Sequence, residues 1–361
     1  MSMHHFSGSY HPADVQILLK PATIEPTAID HKEHLIQSGV RHYSEMLSAE
    51  TVPDDRYMRL YNEALSRNAG RLRSHIQRLA EQISLRTETS KTCVVISLAR
   101  AGTPIGVLLK RSLERIGVET FHYSISIIRG RGIDENALRV IHERHGAATS
   151  IFVDGWTGKG AIRGELQRSL AGGKFSFAPF LAVVADPAGC ADLAATTDDY
   201  VIPSGLLNGI VSGLISRSVL NDDVVGPEDF HACVFQEEHR PHDISQAFID
   251  AIETATLPPH PRSNWSPAQA GRSRSLCQQL LAELMEECHV DDVNRIKPGI
   301  AEATRAVLRR VPHAVYVADL TDPEVLHIIH LAQMSSVPVI QRDLHNYRAV
   351  TIIQKVGGEQ E

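Results

Sequence analysis

Ten residues from Phe152 to Ala161, FVDGWTGKGA, hold an acid, a tryptophan, a threonine, a lysine and three glycines. The apolar run SIFV leads into them and the helical pattern AIRGELQRSL follows. A glycine-rich turn between strand and helix lets backbone amides close round an anion, and the helix N-terminus adds its dipole. Neither common nucleotide fingerprint fits. Lys159 is followed by Gly160 where a Walker A loop needs Ser or Thr, and the strand ends on Asp154 instead of opening a Gly-x-Gly-x-x-Gly run. An acid at a strand end accepts hydrogen bonds from sugar hydroxyls, while turn amides suit a phosphate, so the chemistry pointed to is that of a sugar phosphate. An ordinary βα loop is the plainer alternative.

A second turn of the same build precedes it in VVISLARAGTPIGVLLKRSLER, from Val94 to Arg115. Arg100, Ala101, Gly102 and Thr103 stand there between strand and helix, with Pro104 as the usual first helical residue. Between the two turns, SISIIRGRGID runs from a strand into a Gly-Arg alternation, where Arg129 and Arg131 make either a basic loop that closes over an anion or a solvated pair of loop charges. A third cluster lies near the C-terminus. Arg295, Lys297, Arg305, Arg309 and Arg310 surround the single acid Glu302, and KPG makes a turn before a helix. Such a patch fits RNA backbone, although a solvated basic helix face with Glu302 pairing locally is the competing reading.

The elements that must position these residues follow from periodicity. Arg56 to Leu85 carries apolar residues at helical spacing. From Thr92 onward strand and helix patterns alternate: CVVISL, PIGVLLKRSLERIG, TFHYSISII, ENALRVIHERHG, SIFV, AIRGELQRSL and PFLAVVAD. Repeated β-α units form a parallel sheet covered by helices. Asp198 to Leu220 reads as a short strand and a glycine-interrupted apolar helix. LPPHPRSNWSPAQAGRSR, from Leu257 to Arg274, has the composition of a linker, and a smaller α/β pattern follows.

Taken together, FSGSYHPADVQILLKP, SLARAGTPIG, FVDGWTGKGAIRGEL, DDYVIPSGLLNGIVSGLISRSVL and IKPGIAEATRAVLRRV resemble one bacterial family. It is the phosphoribosyltransferase-like StiP family of tellurium-resistance and stress operons, whose members carry a C-terminal Pelota-like RNA-binding domain. The resemblance implies an α/β fold: a type I phosphoribosyltransferase-like parallel sheet with flanking helices, plus a small Pelota-like α/β domain. It divides the chain into an N-terminal extension over 1–40 that contributes to the hood, a sheet domain over 41–255, a linker over 256–272 and a Pelota-like domain over 273–357.

The activity implied is transfer of a phosphoribosyl group from phosphoribosyl pyrophosphate, with Mg²⁺ held through substrate phosphates, to a base or nucleoside-like acceptor. Asp154 and Arg100 would be catalytic. Asp154, Gly155, Trp156, Thr157, Gly158, Lys159 and Gly160 would hold the ribose phosphate, and Arg100, Ala101, Gly102, Thr103, Arg129 and Arg131 the pyrophosphate. Arg295, Lys297, Arg305, Arg309 and Arg310 would meet structured RNA. No dedicated metal ligands are expected, and a homo-dimer is left open. Two positions depart from the family's transferase motif: Gly155 replaces a second acid, and Lys159 stands where threonine is common. Members are also described as cysteine proteases, and a thiol protease needs an activating histidine. Cys190 in DPAGCADL is one candidate; Cys233, with His231, His239 and His242 near it in sequence, is another. With 19 histidines in the chain, chance neighbours are expected, so buried structural cysteine is the favoured reading.

Bulk properties set the frame. At 361 residues, 43% hydrophobic and 22% charged, the chain has enough apolar matter for two cores. A formal charge of -7 argues against wholesale coating of nucleic acid while leaving room for a local basic patch. Five scattered cysteines make neither a disulfide framework nor a zinc site. No run of roughly 18 apolar residues and no basic, apolar leader in MSMHHFSGS predict a cytoplasmic protein with no membrane partner.

Overall fold

The computed structural model describes residues 5–87, 90–259 and 264–355. The first part of the chain contains β1 (Gln16–Leu18), β2 (Lys20–Pro21), β3 (Thr92–Leu98), β4 (Glu119–Ile125), β5 (Ile127–Ile128), β6 (Gly132–Ile133), β7 (Ser150–Trp156), β8 (Leu181–Ala185), β9 (Leu193–Thr196) and β10 (Ala232–Cys233). Its helices are α1 (Ile29–Gln37), α2 (Asp55–Arg86), α3 (Gly102–Arg115), α4 (Glu135–His145), α5 (Ala161–Leu170) and α6 (Ser245–Thr254). Six strands form a parallel sheet in the order β1-β4-β3-β7-β8-β9.

Continuous apolar strands are what a parallel sheet covered on both faces requires, and the alternation along each strand divides the core. Cys93, Val95, Ile151 and Val153 pack with Leu72, Ile76, Ile105 and Leu109 from α2 and α3. Val94, Ile96 and Phe152 face the other way, onto Leu138, Ile141 and Leu166 from α4 and α5. From β3 the chain passes to β4 on one side and then crosses to β7 on the other. The crevice at the carboxyl ends of β3 and β7 is therefore a topological switch point, the place where open α/β sheets bind ligands.

Asp198 to Leu220 differs from expectation. The expected apolar helix is two 3₁₀ turns, Pro203–Gly205 and Gly209–Val211, followed by isolated bridges from Ile215 to Phe235 and from Val219 to Ala232. Three glycines within nine residues oppose a helix at about 1 kcal/mol each, while Leu206, Ile210, Leu214 and Ile215 are buried as the composition implied.

The second part contains α7 (Pro267–Glu287), β11 (Ile296–Pro298), α8 (Ile300–Arg309), β12 (Pro312–Val317), α9 (Leu326–Met334), β13 (Val339–Gln341) and β14 (Ala349–Ile353). Helix α7 starts inside the expected linker, with Ser266 capping the Gln269 amide and Pro267 in the first turn. Residues 260–263 of that linker lie outside the described residues. The four strands pair in the order β11-β14-β12-β13, parallel only between β12 and β13. Ile300, Ala303 and Val307 of α8 and Ile328 of α9 belong to the same core cluster as the α2 face of the large sheet, so the two parts share buried surface.

Candidate functional site

The turn after β7 is closed by the C-terminal domain. Lys159 Nζ donates to the carbonyls of Val293 and, at 2.8 Å, of Ile296. Burial, then the Arg129 charge, lowers this ammonium to about 8. The Gly158 carbonyl accepts the Tyr347 hydroxyl at 2.7 Å. A Cβ on Gly158 would come within 2.9 Å of Glu302 Cγ, so glycine is what allows α8 to approach. Gly160, at φ 86°, opens α5 with its Cα side against Cys190. Thr157 points inward: its hydroxyl donates to Asp186 Oδ1 at 2.7 Å. Asp154 sits on the cleft floor and accepts the Gly155 amide at 2.8 Å. Burial pushes its carboxyl up to about 7, against that hydrogen bond and the Arg305 charge. Trp156 lies under the Arg305 guanidinium, 4.5 Å from its ring centre.

The turn after β3 does not face this cleft. Arg100, 5% exposed, forms a two-pronged pair with Glu50 and donates to the Ile215 carbonyl at 2.6 Å and to Asn208 Oδ1 at 3.3 Å. That pair holds the Glu50 carboxyl down at about 2 although burial pushes the other way. Ala101 and Gly102 pack against the backbone of β7 at Val153–Gly155, and Thr103 Oγ1 bonds Ser124 Oγ at 2.7 Å. Arg131 pairs with Glu45 at the rim at 2.7 Å, and Arg129 reaches Asn294 Oδ1 at 2.8 Å. Of the residues expected to hold a pyrophosphate, only Arg129 lines the cleft. Glu50, 50 residues upstream of Arg100, carried no local sequence signal.

The cleft itself encloses about 620 Å³ between the β7 turn, α1 and the β11-α8 face. Eleven Lys and Arg side chains and four Asp and Glu side chains line it, an excess of seven positive charges in a chain whose formal net charge is -7. All five basic residues expected to meet RNA are on this wall, half-buried. Arg310 pairs with Glu33 at 2.5 Å, Arg309 bonds Asn208 at 3.1 Å, and Arg295 donates to the Ile353 carbonyl at 3.0 Å. Lys32 and Arg217 also line the wall and were not legible as site residues, since neither lies in a glycine turn or a basic cluster. Among the described residues no group of three or more His, Cys, Asp or Glu gathers that could hold a metal ion.

The thiols were the remaining candidates. Cys93 and Cys233 are fully buried in strands, and burial pushes both up to about 12. His231 turns from Cys233 toward Ser126, with Nδ1 2.8 Å from that hydroxyl. Cys277 is buried, and Cys288 contacts the Tyr316 hydroxyl at 3.3 Å. Cys190 is different in placement. It follows β8 at the carboxyl edge of the sheet, partly exposed behind the Gly158–Gly160 turn, with its amide on Asp186 Oδ1 at 2.9 Å. Burial, and then the Asp186 charge, push its thiol up to about 12. Among the described residues no imidazole hydrogen-bonds a thiol.

The fold and this cleft define a two-part α/β protein with a parallel sheet whose switch point is roofed by a small C-terminal domain. The family is fixed by comparison. Residues 8–253 match the family described as tellurite-like stress resistance cysteine protease StiP, and 275–355 match a PELOTA RNA binding domain. A relative from Acinetobacter baylyi, "Cysteine protease StiP", is 44% identical over 366 aligned positions, covering 98% of this chain and 95% of the relative. The chain belongs to the StiP family. Solved structures are far more distant. The hypoxanthine phosphoribosyltransferase of Trypanosoma cruzi with IMP is 14% identical, covering 35% of this chain and 75% of that one at a TM-score of 0.28. The Leishmania tarentolae HGPRT-ase with GMP is 10% identical, covering 46% and 92% at 0.29.

These findings correct the expected activity. The matched family and the 44% identical relative are both named for a cysteine protease, and TM-scores below 0.3 lend no support to phosphoribosyl transfer. The broader expectation of an enzyme agrees with those names; glycosyl transfer does not. Among the described residues no helix is long and apolar enough to cross a membrane.

Proposed function

We propose that this protein is a stress-resistance enzyme of the StiP class, a cysteine protease like the relative it matches, acting in the cytoplasm, and that Cys190 supplies the thiol. Identity of 44% across nearly the whole chain carries the reaction class. Position supports Cys190 as that residue: its thiol lies at the carboxyl edge of the parallel sheet, beside the glycine turn that walls the basic cleft. Five free cysteines suit a reducing compartment. At rest the thiol is protonated at neutral pH, so attack on a peptide carbonyl requires the turn to move and a base to reach Sγ. A peptide-library digest read by mass spectrometry tests the assignment. Cleavage by the wild type and by Cys233→Ser, with at least a hundredfold loss in Cys190→Ser, is expected; full activity in Cys190→Ser rejects it.

RNA binding is a second reading, favoured by the match over 275–355. Because Arg295, Lys297, Arg305, Arg309 and Arg310 line a cleft, a single-stranded end is the form that fits, its phosphates entering between the domains. A gel shift with a short single-stranded RNA should weaken about tenfold in Arg295→Gln; unchanged binding in that variant removes these residues from the interface.

A further inference from the structure

We propose that the cleft between the two domains is a binding site for a small molecule carrying two or more linked phosphates, gripped from the C-terminal side by Lys297, Arg305 and Arg309 and from the N-terminal side by Lys32 and Arg217. The site does not depend on the protease reading, although the glycine turn forms one of its walls.

Its chief observation is positive charge without partners. Lys297 makes neither a hydrogen bond nor an ion pair among the described residues. Arg305 makes neither as well; its guanidinium rests on Trp156, and its Nε is buried and unsatisfied. Arg217 Nη1 is likewise buried without a partner, although Nη2 holds the Tyr43 carbonyl at 2.7 Å and the Met46 carbonyl. Leaving a buried charged donor unmade costs more than an ordinary hydrogen bond returns. Such donors on Arg305 and Arg217, with the Lys297 side chain beside them, line one cavity and suit an anionic ligand. The crowding shows in the lysines: burial followed by the Lys159 and Arg310 charges lowers Lys297 to about 7, and burial followed by Arg217 and Arg310 lowers Lys32 to about 8. The acids facing the cavity do not neutralise it. Asp154 is itself pushed up to about 7, Glu302 stands alone on α8, and Asp291 and Asp292 lie at the rim, Asp291 already paired with Arg295 and Lys355.

Size and charge narrow the ligand. About 620 Å³ holds a nucleotide-sized molecule and excludes a duplex. A single phosphate would meet two or three of these cations, whereas linked phosphates span both walls, and arginine forks match their oxygens in pairs. Such a ligand would also tie α1 and the 198–220 segment to α8, adding to the Lys159 clamp.

Titration calorimetry of the full-length chain at low salt, with inorganic triphosphate, ATP and AMP as probes, tests the site. Triphosphate and ATP are expected to saturate one site, with AMP at least about tenfold weaker and Lys297→Gln and Arg305→Gln each lowering triphosphate affinity about tenfold. Bound polyanion raises the lysine pKa values, so at pH 7.5 binding should take up protons, read as a heat that changes with the buffer's ionisation enthalpy. Thermal melts of both variants verify that they fold. Absence of saturable triphosphate and ATP binding, or wild-type affinity in folded Lys297→Gln, overturns the proposal. Single-stranded RNA that binds and is not displaced by triphosphate overturns it in favour of the RNA reading.

Discussion

Asp154 is the residue where the sequence made its strongest claim and the structure altered its meaning. It lies near the C-terminal end of β7, just before the strand's last residues, yet it faces an inter-domain cleft with one backbone donor while burial opposes its charge. Its folded pKa of about 7 lies above the ordinary carboxylate value. An acid whose pKa is raised on folding binds its proton more tightly in the folded state. Stability tied to it is therefore full below about pH 4 and declines as pH rises through 7. Asp154→Asn removes the ionisation and keeps an acceptor for the Gly155 amide. Denaturant titrations should show the variant equal to wild type below about pH 4 and more stable at pH 8, by about 1–3 kcal/mol once cleft water is allowed for. A variant less stable than wild type at pH 8 contradicts the burial account. A bound polyanion would leave this acid protonated near neutrality, since the two would repel.

The elements that hold the site join distant parts of the chain, and that limits what sequence can reveal. Asp199 follows β9, and its carboxylate accepts the Ile300 amide at the start of α8, at 3.0 and 3.2 Å, and the Arg348 amide at 2.8 Å. Burial raises it to about 6 even so. It satisfies the first amide of α8 from another domain, where the N-cap residue Gly299 has no side chain to do so, so Asp199→Ala should cost about 2 kcal/mol in chemical unfolding. A cost under about 0.5 kcal/mol would show that α8 docks by apolar packing alone. The parallel strands and helices around both glycine turns were legible, because strand runs such as CVVISL and amphipathic helices such as α3 report their own burial. Asp198–Leu220 misled because its apolar residues serve the core whether helical or not, and only the glycines decide. The first turn's role misled for another reason: Arg100 has the right position for an anion, and Glu50 takes it first. Lys32, Arg217, Glu50 and Asp199 act through partners tens to hundreds of residues away, a relation that spacing does not encode.

At the scale of the whole molecule, the C-terminal domain is the roof of the site. The Lys159 and Tyr347 bonds to either side of the turn, and the Glu324 carboxylate that takes the Asn68 side chain at 3.1 Å and the Val201 amide at 2.7 Å, anchor it. The glycine turn, the basic cleft and Cys190 therefore meet at one junction, and a ligand or strand in the cleft bears on the turn that shields the thiol. The central claim is that catalysis runs through that thiol. Intact-mass and peptide mapping after treatment with an epoxide-bearing peptide under turnover conditions test it most directly. The account predicts one adduct, on Cys190, forming in step with loss of peptide cleavage; an adduct on another cysteine that abolishes cleavage, or full cleavage by Cys190→Ser, contradicts it.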